Sequence, residues 1–283
     1  MSGYVDLHVH SCASDGTMTA SEIVESARAH GVDLLAISDH NTAQASRELM
    51  QNAPEGLCCI PSVEIDCLAV EAKLHVHGYG IDLDHPGLEA LIARNRRELD
   101  AMSERLVAAL GLSLSEFQAF SYDRRKGGWA GLHFLHEKGV VADPFDAADL
   151  YNRYDGCGYD SAAFPPFEEV AAMIHAAGGK AVLAHPGYSL RRLPLPLLVD
   201  FLEQLIPKGL DGLECYYPGT PAGRTEACLA VCQAHGLLIT TGSDDHGAFL
   251  EDKPGIVNVG IGGLRIRRDA LRLTGIRSSC GVL

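Results

Sequence analysis

Short apolar runs alternate with amphipathic stretches along most of the chain, which is the pattern of strands alternating with helices. The apolar runs predict strands at residues 4–7, 34–38, 57–63, 74–79, 180–184, 212–216 and 237–241. The amphipathic stretches predict helices at residues 19–30, 43–51, 167–177, 195–205 and 222–235. Strands and helices that alternate in this way build a parallel sheet, and about seven such units over 283 residues predict an α/β barrel.

The first predicted helix has the clearest boundary signals. Thr19 and Glu22 have the spacing of a capping box, in which each side chain bonds to the backbone N–H of the other residue. Gly31 follows the last helical position, where glycine often ends a helix. We therefore expect Thr19 to be the N-cap of a helix that stops before Gly31.

One long segment interrupts the alternation. A helical pattern covers residues 88–110, and a basic turn at 123–128 separates it from further helical material. We interpret residues 86–166 as a helical insertion that caps the substrate site. The barrel would then be formed by residues 1–85 and 167–283.

The composition is that of a globular protein, with 47% hydrophobic and 21% charged residues. The net charge of −14 argues against stable binding to duplex nucleic acid, which needs a basic surface. A small anionic substrate or a short RNA remains compatible, because bound divalent metals reverse the charge locally. No apolar stretch is long enough to span a membrane. The nine cysteines show no CxxC pair and no leader precedes Tyr4, so we expect free thiols in a reducing cytoplasm.

Histidine is the unusual part of the composition, because many of the 13 histidines stand late in a predicted strand or just beyond it. His8 and His10 have i, i+2 spacing, which places both side chains on one face of the first strand. Asp15 lies in the loop that follows. The same placement at later strands selects His40, Glu64, His75, His185, Asp244 and His246.

These nine side chains predict a clustered metal centre. The carboxyl ends of the strands of a parallel barrel are where active sites collect, so the side chains are expected to meet there. Imidazoles with carboxylates are ligands for Zn²⁺, Mn²⁺ or Fe²⁺, whereas Mg²⁺ and Ca²⁺ prefer oxygen. At about four or five ligands per ion, with bridging carboxylates, the set would satisfy two to three divalent ions.

Six motifs carry a resemblance to a known family. In chain order they read DLHVHSCASDG, ISDHN, PSVEI, LHVHGYG, LAHPG and TGSDDHG. They resemble the metal-binding motifs of the PHP (polymerase and histidinol phosphatase) family, and the resemblance runs from Tyr4 to about Gly247. It implies a distorted (β/α)7 TIM-like barrel that binds three divalent metals and cleaves phosphate esters, with Mn²⁺ expected ahead of Zn²⁺ or Fe²⁺.

The resemblance also implies which residues share each metal. His8, His10, Glu64 and Asp244 would hold one ion, Asp15, His40 and His246 a second, and His75 and His185 the third, with Glu64 bridging to the first. Metals lower the pKa of bound water from about 15.7 to about 7, which supplies hydroxide at neutral pH. Three of the ligands are also expected to be catalytic. Asp15 would hold an ion that shares the attacking hydroxide, and His185 or His246 could protonate the leaving alkoxide.

The substrate contacts are expected in the insertion. The resemblance extends to a single-domain subgroup of nucleotide phosphoesterases and 5′–3′ exoribonucleases, in which the insertion often contains Gly-Arg-Pro-His. Here residues 130–133 read Ala-Gly-Leu-His, so His133 is kept and the arginine is missing. The basic turn could supply the lost phosphate contacts, or it could be an ordinary solvated loop. The candidates in this turn are Arg124, Arg125, Lys126 and Gly127. Asn41, beside His40, is a further candidate for a phosphate or ribose contact.

Three other residues leave alternatives open. Asp39 could orient a ligating imidazole or cap the helix after its loop. His77 shares a strand face with His75, although an apolar residue is usual there in the family. Trp129 could stack on a base, but packing is favoured.

The sequence therefore favours a cytoplasmic, metal-dependent phosphatase of a small nucleotide. The leading hypothesis is removal of the 3′-phosphate from a 3′,5′-nucleoside bisphosphate, as in conversion of pAp to AMP. A 5′–3′ exoribonuclease would use the same metals with a longer groove, and a histidinol-phosphate-type monoester phosphatase is a further alternative. A polymerase-associated module is disfavoured by length, and a non-catalytic metal protein by the expected burial of so many ionisable groups.

Overall fold

A computed structural model describes residues 3–69, 72–159 and 162–283. The strands are β1 (Tyr4–Asp6), β2 (Val32–Leu35), β3 (Cys58–Cys59), β4 (Ser62–Ala69), β5 (Ala72–Tyr79), β6 (Lys180–Leu183), β7 (Gly212–Tyr216), β8 (Leu238–Thr241), β9 (Arg277–Ser278) and β10 (Gly281–Val282). The helices are α1 (Ala20–Ala29), α2 (Gln44–Gln51), α3 (Pro86–Ala109), α4 (Leu114–Gln118), α5 (Ala130–Glu137), α6 (Ala148–Tyr151), α7 (Phe167–Ala176), α8 (Pro186–Ser189), α9 (Leu195–Leu205) and α10 (Arg224–His235). Within the described ranges, none of these helices has the length and hydropathy to cross a bilayer.

Two sheets and a terminal hairpin make up the β-structure. β1, β2 and β3 form one parallel sheet, and β4 to β8 form a second sheet in sequence order. In the second sheet, β5 is antiparallel to both β4 and β6, whereas β6, β7 and β8 are parallel. β9 and β10 pair as an antiparallel hairpin.

The expectation of a wholly parallel sheet was therefore wrong at β5. β4 ends at Ala69 and β5 begins at Ala72, and so short a connection cannot make the crossover that a parallel pair needs. The strand predicted at 57–63 is also two strands, because β3 ends at Cys59 and β4 begins at Ser62, with Pro61 between them.

The ends of the two sheets lie side by side at two places. A parallel bridge joins Val9, after β1, to Asp245, after β8. A second parallel bridge joins His40, after β2, to Glu64 on β4. These bridges bring the segments that follow β1, β2 and β8 to the same place as the middle of β4.

Helices cover the outer faces of both sheets. Ile23 of α1 and Leu49 of α2 pack in one apolar cluster with β2, and Val170 of α7 and Leu202 of α9 pack in another with the second sheet. The described cysteines are unpaired thiols, as expected, and Cys228 and Cys232 of α10 are buried in the core.

Residues 86–166, for which we expect a helical insertion, contain α3 to α6, and these helices share an apolar cluster of their own. Leu106 of α3, Phe134 of α5 and Tyr151 of α6 are buried within it. Trp129 packs against the same cluster, and its Nε1 donates a hydrogen bond to Tyr151 Oη at 3.0 Å. Packing is thus one role of this tryptophan.

The capping box predicted at Thr19 is present. Thr19 Oγ1 accepts from the backbone N–H of Glu22, and the Glu22 carboxylate accepts from the backbone N–H of Thr19 at 2.8 Å. We expect Thr19→Ala to destabilise the protein by about 1 kcal/mol, because a helix N–H loses its acceptor. Urea denaturation measures this loss, and Thr19→Ser, which keeps the hydroxyl, should remain within a few tenths of a kcal/mol of the unmodified chain.

Candidate metal centre and active site

Four side chains bring one ligand atom each to a single point. His8 and His10 follow β1, are fully buried, and place their Nε2 atoms 3.0 Å apart. Glu64 Oε2 lies 3.2 Å from the first of these nitrogens and 3.3 Å from the second. Asp244 Oδ1 lies 3.1 Å and 3.0 Å from the same two atoms. This is the set of ligands expected to share one ion.

The spacing of these atoms fits a divalent ion. Ligands about 2.1 Å from a tetrahedral ion are separated by about 3.4 Å, and the observed separations are close to this value. The surroundings of His8 also fit, because its Nδ1 faces Glu214 Oε1 at 3.1 Å, where the carboxylate accepts the proton of the Nδ1–H tautomer. The lone pair on Nε2 is then free for a metal.

A second group lies beside the first. Asp15 Oδ2 is 3.4 Å from His246 Nε2 and 3.8 Å from His40 Nε2. His10 belongs to this group as well, since its Nδ1 lies 3.4 Å from Asp15 Oδ1. The three residues expected to share the second ion are therefore close together.

A third group is formed around the other oxygen of Glu64. His75 Nδ1 lies 2.9 Å and His185 Nε2 lies 3.4 Å from Glu64 Oε1. These are the two histidines expected for the third ion, and Glu64 lies between the first and third groups. All nine predicted ligands thus meet in one place.

Several ligand atoms are buried without a hydrogen bond. In the part of the chain that the structure describes, these are His40 Nδ1, Glu64 Oε1 and His75 Nδ1. They lie near one another but are not aligned as donor and acceptor, which is costly for buried polar atoms unless another group binds them. A divalent cation satisfies lone pairs of this kind, so the residues present fit a metal centre.

The pKa values agree with a set of unprotonated ligands at two positions. Burial raises the pKa of Glu64, but the imidazoles of His40, His8 and His75 outweigh it and hold the pKa well below its ordinary value. Burial lowers the pKa of His40 to about 4, so this imidazole is neutral at pH 7. Neutral imidazole and ionised carboxylate are the forms that bind metals.

Three residues at the predicted metal centre have strained backbone conformations. Asn41, His185 and Asp244 have φ of 48°, 36° and 53°, in the left-handed region that residues other than glycine rarely adopt. Each costs of the order of 1–3 kcal/mol, and such residues persist where the surrounding structure fixes them, often at functional sites.

Three polar residues of the site were missed in the sequence. Glu214 on β7 accepts from His8 and also from the His185 backbone N–H at 2.8 Å. Asp66 Oδ1 lies 3.2 Å from His75 Nε2. Tyr217 Oη donates to Asp244 Oδ2 at 2.7 Å. The signal for Glu214 was a carboxylate within an otherwise apolar predicted strand, whereas Asp66 lies beyond the strand predicted at residues 57–63.

Three candidates from the sequence lie behind the ligands. Asn41 is buried. Its Nδ2 donates to the Asp66 carboxylate, and its Oδ1 accepts from Asn95 Nδ2 at 2.9 Å. This arrangement differs from the expected substrate contact. Asp39 accepts from Ser11 N and Ser11 Oγ, both at 2.7 Å, and so fixes the loop before Asp15. His77 Nε2 lies 3.1 Å from His8 Nδ1, beneath the cluster.

A cavity of about 330 Å³ opens over the predicted ligands. Its floor includes Asp15, His40 and His75, and its opposite wall belongs to the insertion. The other lining residues that carry a charge or an aromatic ring are Asp66, Lys73, Arg96, Asp100, Tyr122, Arg124, Trp129 and Tyr159. Cationic groups, aromatic rings and predicted metal ligands therefore face one cavity.

The basic turn does not form the cradle expected for it. Arg124 lines the cavity, but its guanidinium donates to the carbonyls of Cys12, Ala13 and Ser14 at 3.0, 2.6 and 3.1 Å. The Arg125 guanidinium instead forms a bidentate salt bridge with the Glu22 carboxylate, with N–O distances of 2.7 and 3.0 Å.

The rest of the turn and His133 lie away from the cavity over the ligands. Lys126 and His133 line a separate shallow cavity of about 290 Å³. His133 Nε2 donates to the Gly127 carbonyl at 2.8 Å, and its ring stacks on Tyr122 with centroids 4.6 Å apart. His133 thus supports the turn from behind, and only Arg124 of this group faces the predicted metals.

A buried cluster of imidazoles and carboxylates, beneath a cavity that Lys73, Arg96 and Arg124 help to line, is the arrangement of a metal-dependent phosphoesterase. Metals in such a cluster neutralise phosphoryl oxygens and activate water. Comparison with known proteins gives the same class. Residues 6–134 match the model of the PHP domain.

Three relatives and one solved structure extend the match over most of the chain. The 5′–3′ exoribonuclease Rnm of Escherichia coli is 32% identical over 85% of this chain and 84% of its own length. The phosphoribosyl 1,2-cyclic phosphate 1,2-diphosphodiesterase of Eggerthella lenta is 29% identical over 86% and 94%. The 3′,5′-nucleoside bisphosphate phosphatase of Chromobacterium violaceum is 29% identical over 86% and 87%. A Bifidobacterium adolescentis structure, assigned as a metal-dependent phosphoesterase, superposes with a TM-score of 0.75 at 28% identity over 94% of this chain and 93% of that chain.

The chain belongs to the PHP family. It has the mixed α/β fold of that family, and it is a metal-dependent phosphoesterase.

Glu214 offers a test of the metal centre that leaves the ligands in place. We expect Glu214→Gln to weaken metal binding by about 10- to 100-fold, because the amide no longer fixes the tautomer of His8. Titration with Mn²⁺ after chelation, followed by elemental analysis, measures this change. The unmodified protein should carry more than one equivalent, and Glu203→Gln, an exposed carboxylate paired with His235, should match it.

An unchanged metal affinity in Glu214→Gln would contradict the positioning role of Glu214. A single equivalent or less in the unmodified protein would contradict the assignment of several ions.

Proposed function

We propose that the protein removes the 3′-phosphate of a 3′,5′-nucleoside bisphosphate, converting pAp to AMP. The observation that carries this proposal is the cavity of about 330 Å³, because it has predicted metal ligands on one side and separate cationic side chains on the other. A cavity of this size is at the lower end of small-molecule sites and suits one nucleotide rather than a chain. The aromatic rings of Trp129 and Tyr122 in its lining could face a base.

The two sides of the cavity suit the two phosphates of such a substrate. The phosphate to be cleaved would lie over His40 and His75, where the predicted ligands face the cavity. The second phosphate would lie against the insertion, where Arg96 of α3 and Arg124 are placed. A monophosphate would use only the first of these positions.

The nine ligands would hold two to three divalent ions, for which Mn²⁺ is our first choice. When bound, the ions would supply charge neutralisation and an activated water. Asp15 would orient its ion from the loop after β1. His246 Nδ1 donates to the Asp244 carbonyl at 2.8 Å, and His185 Nδ1 lies 2.6 Å from Ser189 Oγ. These contacts hold both imidazoles in place. The one that does not bind an ion through Nε2 would pass a proton from that nitrogen to the leaving oxygen.

The distorted barrel is part of the same proposal. The bridges Val9–Asp245 and His40–Glu64 support a ring in which the two sheets continue into one another. In such a ring the insertion 86–166 acts as a cap over the site. Of its residues, Arg96, Arg124 and Trp129 line the cavity.

A 5′–3′ exoribonuclease is the second candidate. It is favoured by the 32% identity to the Escherichia coli protein, which is the highest of the three relatives described above. That activity would use the same ligands and the same first nucleotide position. It would differ in extending the bound RNA beyond the cavity.

The substrates themselves distinguish these functions. With Mn²⁺ supplied, we expect pAp to be hydrolysed with a kcat/KM at least about 10-fold above that of histidinol phosphate or 3′-AMP. The reason is that only pAp has one phosphate for the predicted metal ligands and a second for the arginines on the opposite wall. Phosphate release measures each rate. Faster stepwise degradation of a 5′-phosphorylated RNA pentamer would favour the exoribonuclease, and equal rates on all monoesters would end the nucleotide proposal.

Arg96 should serve the second phosphate. We expect Arg96→Ala to raise KM about 10-fold for pAp and to leave KM for 3′-AMP unchanged, because only pAp reaches this side of the cavity. Arg97→Ala is the matched control, since Arg97 is the next residue of α3 and is exposed outside the cavity lining. Equal changes for both substrates would remove Arg96 from this role.

A further inference from the structure

Lys73 places a positive charge on the floor of the cavity, next to the predicted third metal position. It stands on β5 two residues before His75, so both side chains lie on the same face of the strand. Lys73 Nζ is 3.1 Å from Asp66 Oδ1, and the same oxygen is 3.2 Å from His75 Nε2. An ammonium in this position repels divalent cations. The single Asp66 oxygen between them is shared by Lys73 and His75, so a further anion in the cavity would be favourable.

The ammonium of Lys73 packs against the ring of Tyr159. Its Nζ lies 3.4 Å from the centroid of the Tyr159 ring, and its side chain is 21% exposed. The contact between Lys73 Nζ and Asp66 Oδ1 takes up at most one of the three N–H groups of the ammonium. The other N–H groups of Lys73 are available to an acceptor in the cavity.

Asp66 does not depend on Lys73 for its own position. Its carboxylate accepts from Asn41 Nδ2, and its backbone N–H donates to Asn41 Oδ1 at 3.2 Å. Asn95 of α3 fixes Asn41 in turn and donates to the Asp66 carbonyl at 2.8 Å. A lysine needed only to hold Asp66 would duplicate these bonds.

We propose that Lys73 binds the phosphoryl group that is hydrolysed. Of the cationic residues that line the cavity among the described residues, Lys73 alone comes from the sheet, whereas Arg96 and Arg124 come from the insertion. Lys73 thus stands on the side of the predicted metal ligands. The inference rests on the phosphatase part of the proposed function and requires no particular nucleoside.

The test replaces the charge and keeps the length of the side chain. In the Mn²⁺-loaded protein, we expect Lys73→Met to weaken binding of inorganic phosphate, measured by calorimetry, by about 10- to 100-fold. KM for p-nitrophenyl phosphate and for pAp should rise by the same factor, while metal content stays unchanged. Lys126→Met, which removes a lysine from the separate shallow cavity, should leave all of these unchanged, and Lys73→Arg should retain most of the phosphate binding.

Phosphate binding within about twofold of the unmodified protein would overturn the proposal. Loss of metal from Lys73→Met would overturn it as well, because it would mean that Lys73 only supports Asp66 and His75. Inorganic phosphate and p-nitrophenyl phosphate contain no nucleoside, so these results do not depend on whether pAp is the preferred substrate. If the nucleotide proposal is wrong, pAp is not preferred over the other monoesters. If the Lys73 proposal is wrong, Lys73→Met binds inorganic phosphate as the unmodified protein does.

Discussion

The buried carboxylate of Glu64 is the interaction on which the rest of the site depends. One of its oxygens lies within 3.3 Å of ring nitrogens of His8, His10 and His40. The other lies within 3.4 Å of those of His75 and His185. A carboxylate taken out of water is costly unless charges or donors compensate for it. Cationic partners, whether metal ions or protonated imidazoles, are therefore required for the fold as well as for the chemistry.

The position of Glu64 also explains why the antiparallel β5 does not disturb the site. In the register of β4 and β5, His75 pairs with Asp66 and His77 with Glu64, so His75 lies beside the carboxylates although its strand runs in the opposite direction. The sequence pattern could predict that these residues come together, because alternation fixes which side chains share a face. It could not predict the strand direction, which depends on the short connection between Ala69 and Ala72.

The predicted ligands could be selected from the sequence because each belongs to a recognisable motif, although Glu64 and His75 lie within β4 and β5 rather than at a strand end. The supporting residues belong to no such motif. Glu214 is one acid within a short apolar strand, and nothing local indicates that it faces His8, 206 residues earlier in the chain. Arg125 shows the opposite error. Its basic neighbours suggested a phosphate contact, but its guanidinium is paired with Glu22, 103 residues away. Long-range partners decide whether a charged side chain is free, and a local pattern does not contain them.

The basic turn has a structural role that links the insertion to the metal ligands. Arg124 donates to three carbonyls of the loop before Asp15, and Gly128 N donates to the Asp15 carbonyl at 2.7 Å. Glycine is needed here, because Gly127 has φ of 71° and a Cβ on it would lie 2.5 Å from Phe249 and 2.9 Å from the Asp15 carbonyl.

The group that lies close to the Gly127 backbone is therefore the protein's own loop at Asp15, whereas the sequence suggested a substrate anion. The segment that carries the wall of the cavity also fixes the backbone of Asp15. A substitution that moves Arg124 or Gly128 would therefore also disturb the backbone next to the Asp15 carboxylate, which belongs to the second predicted metal group.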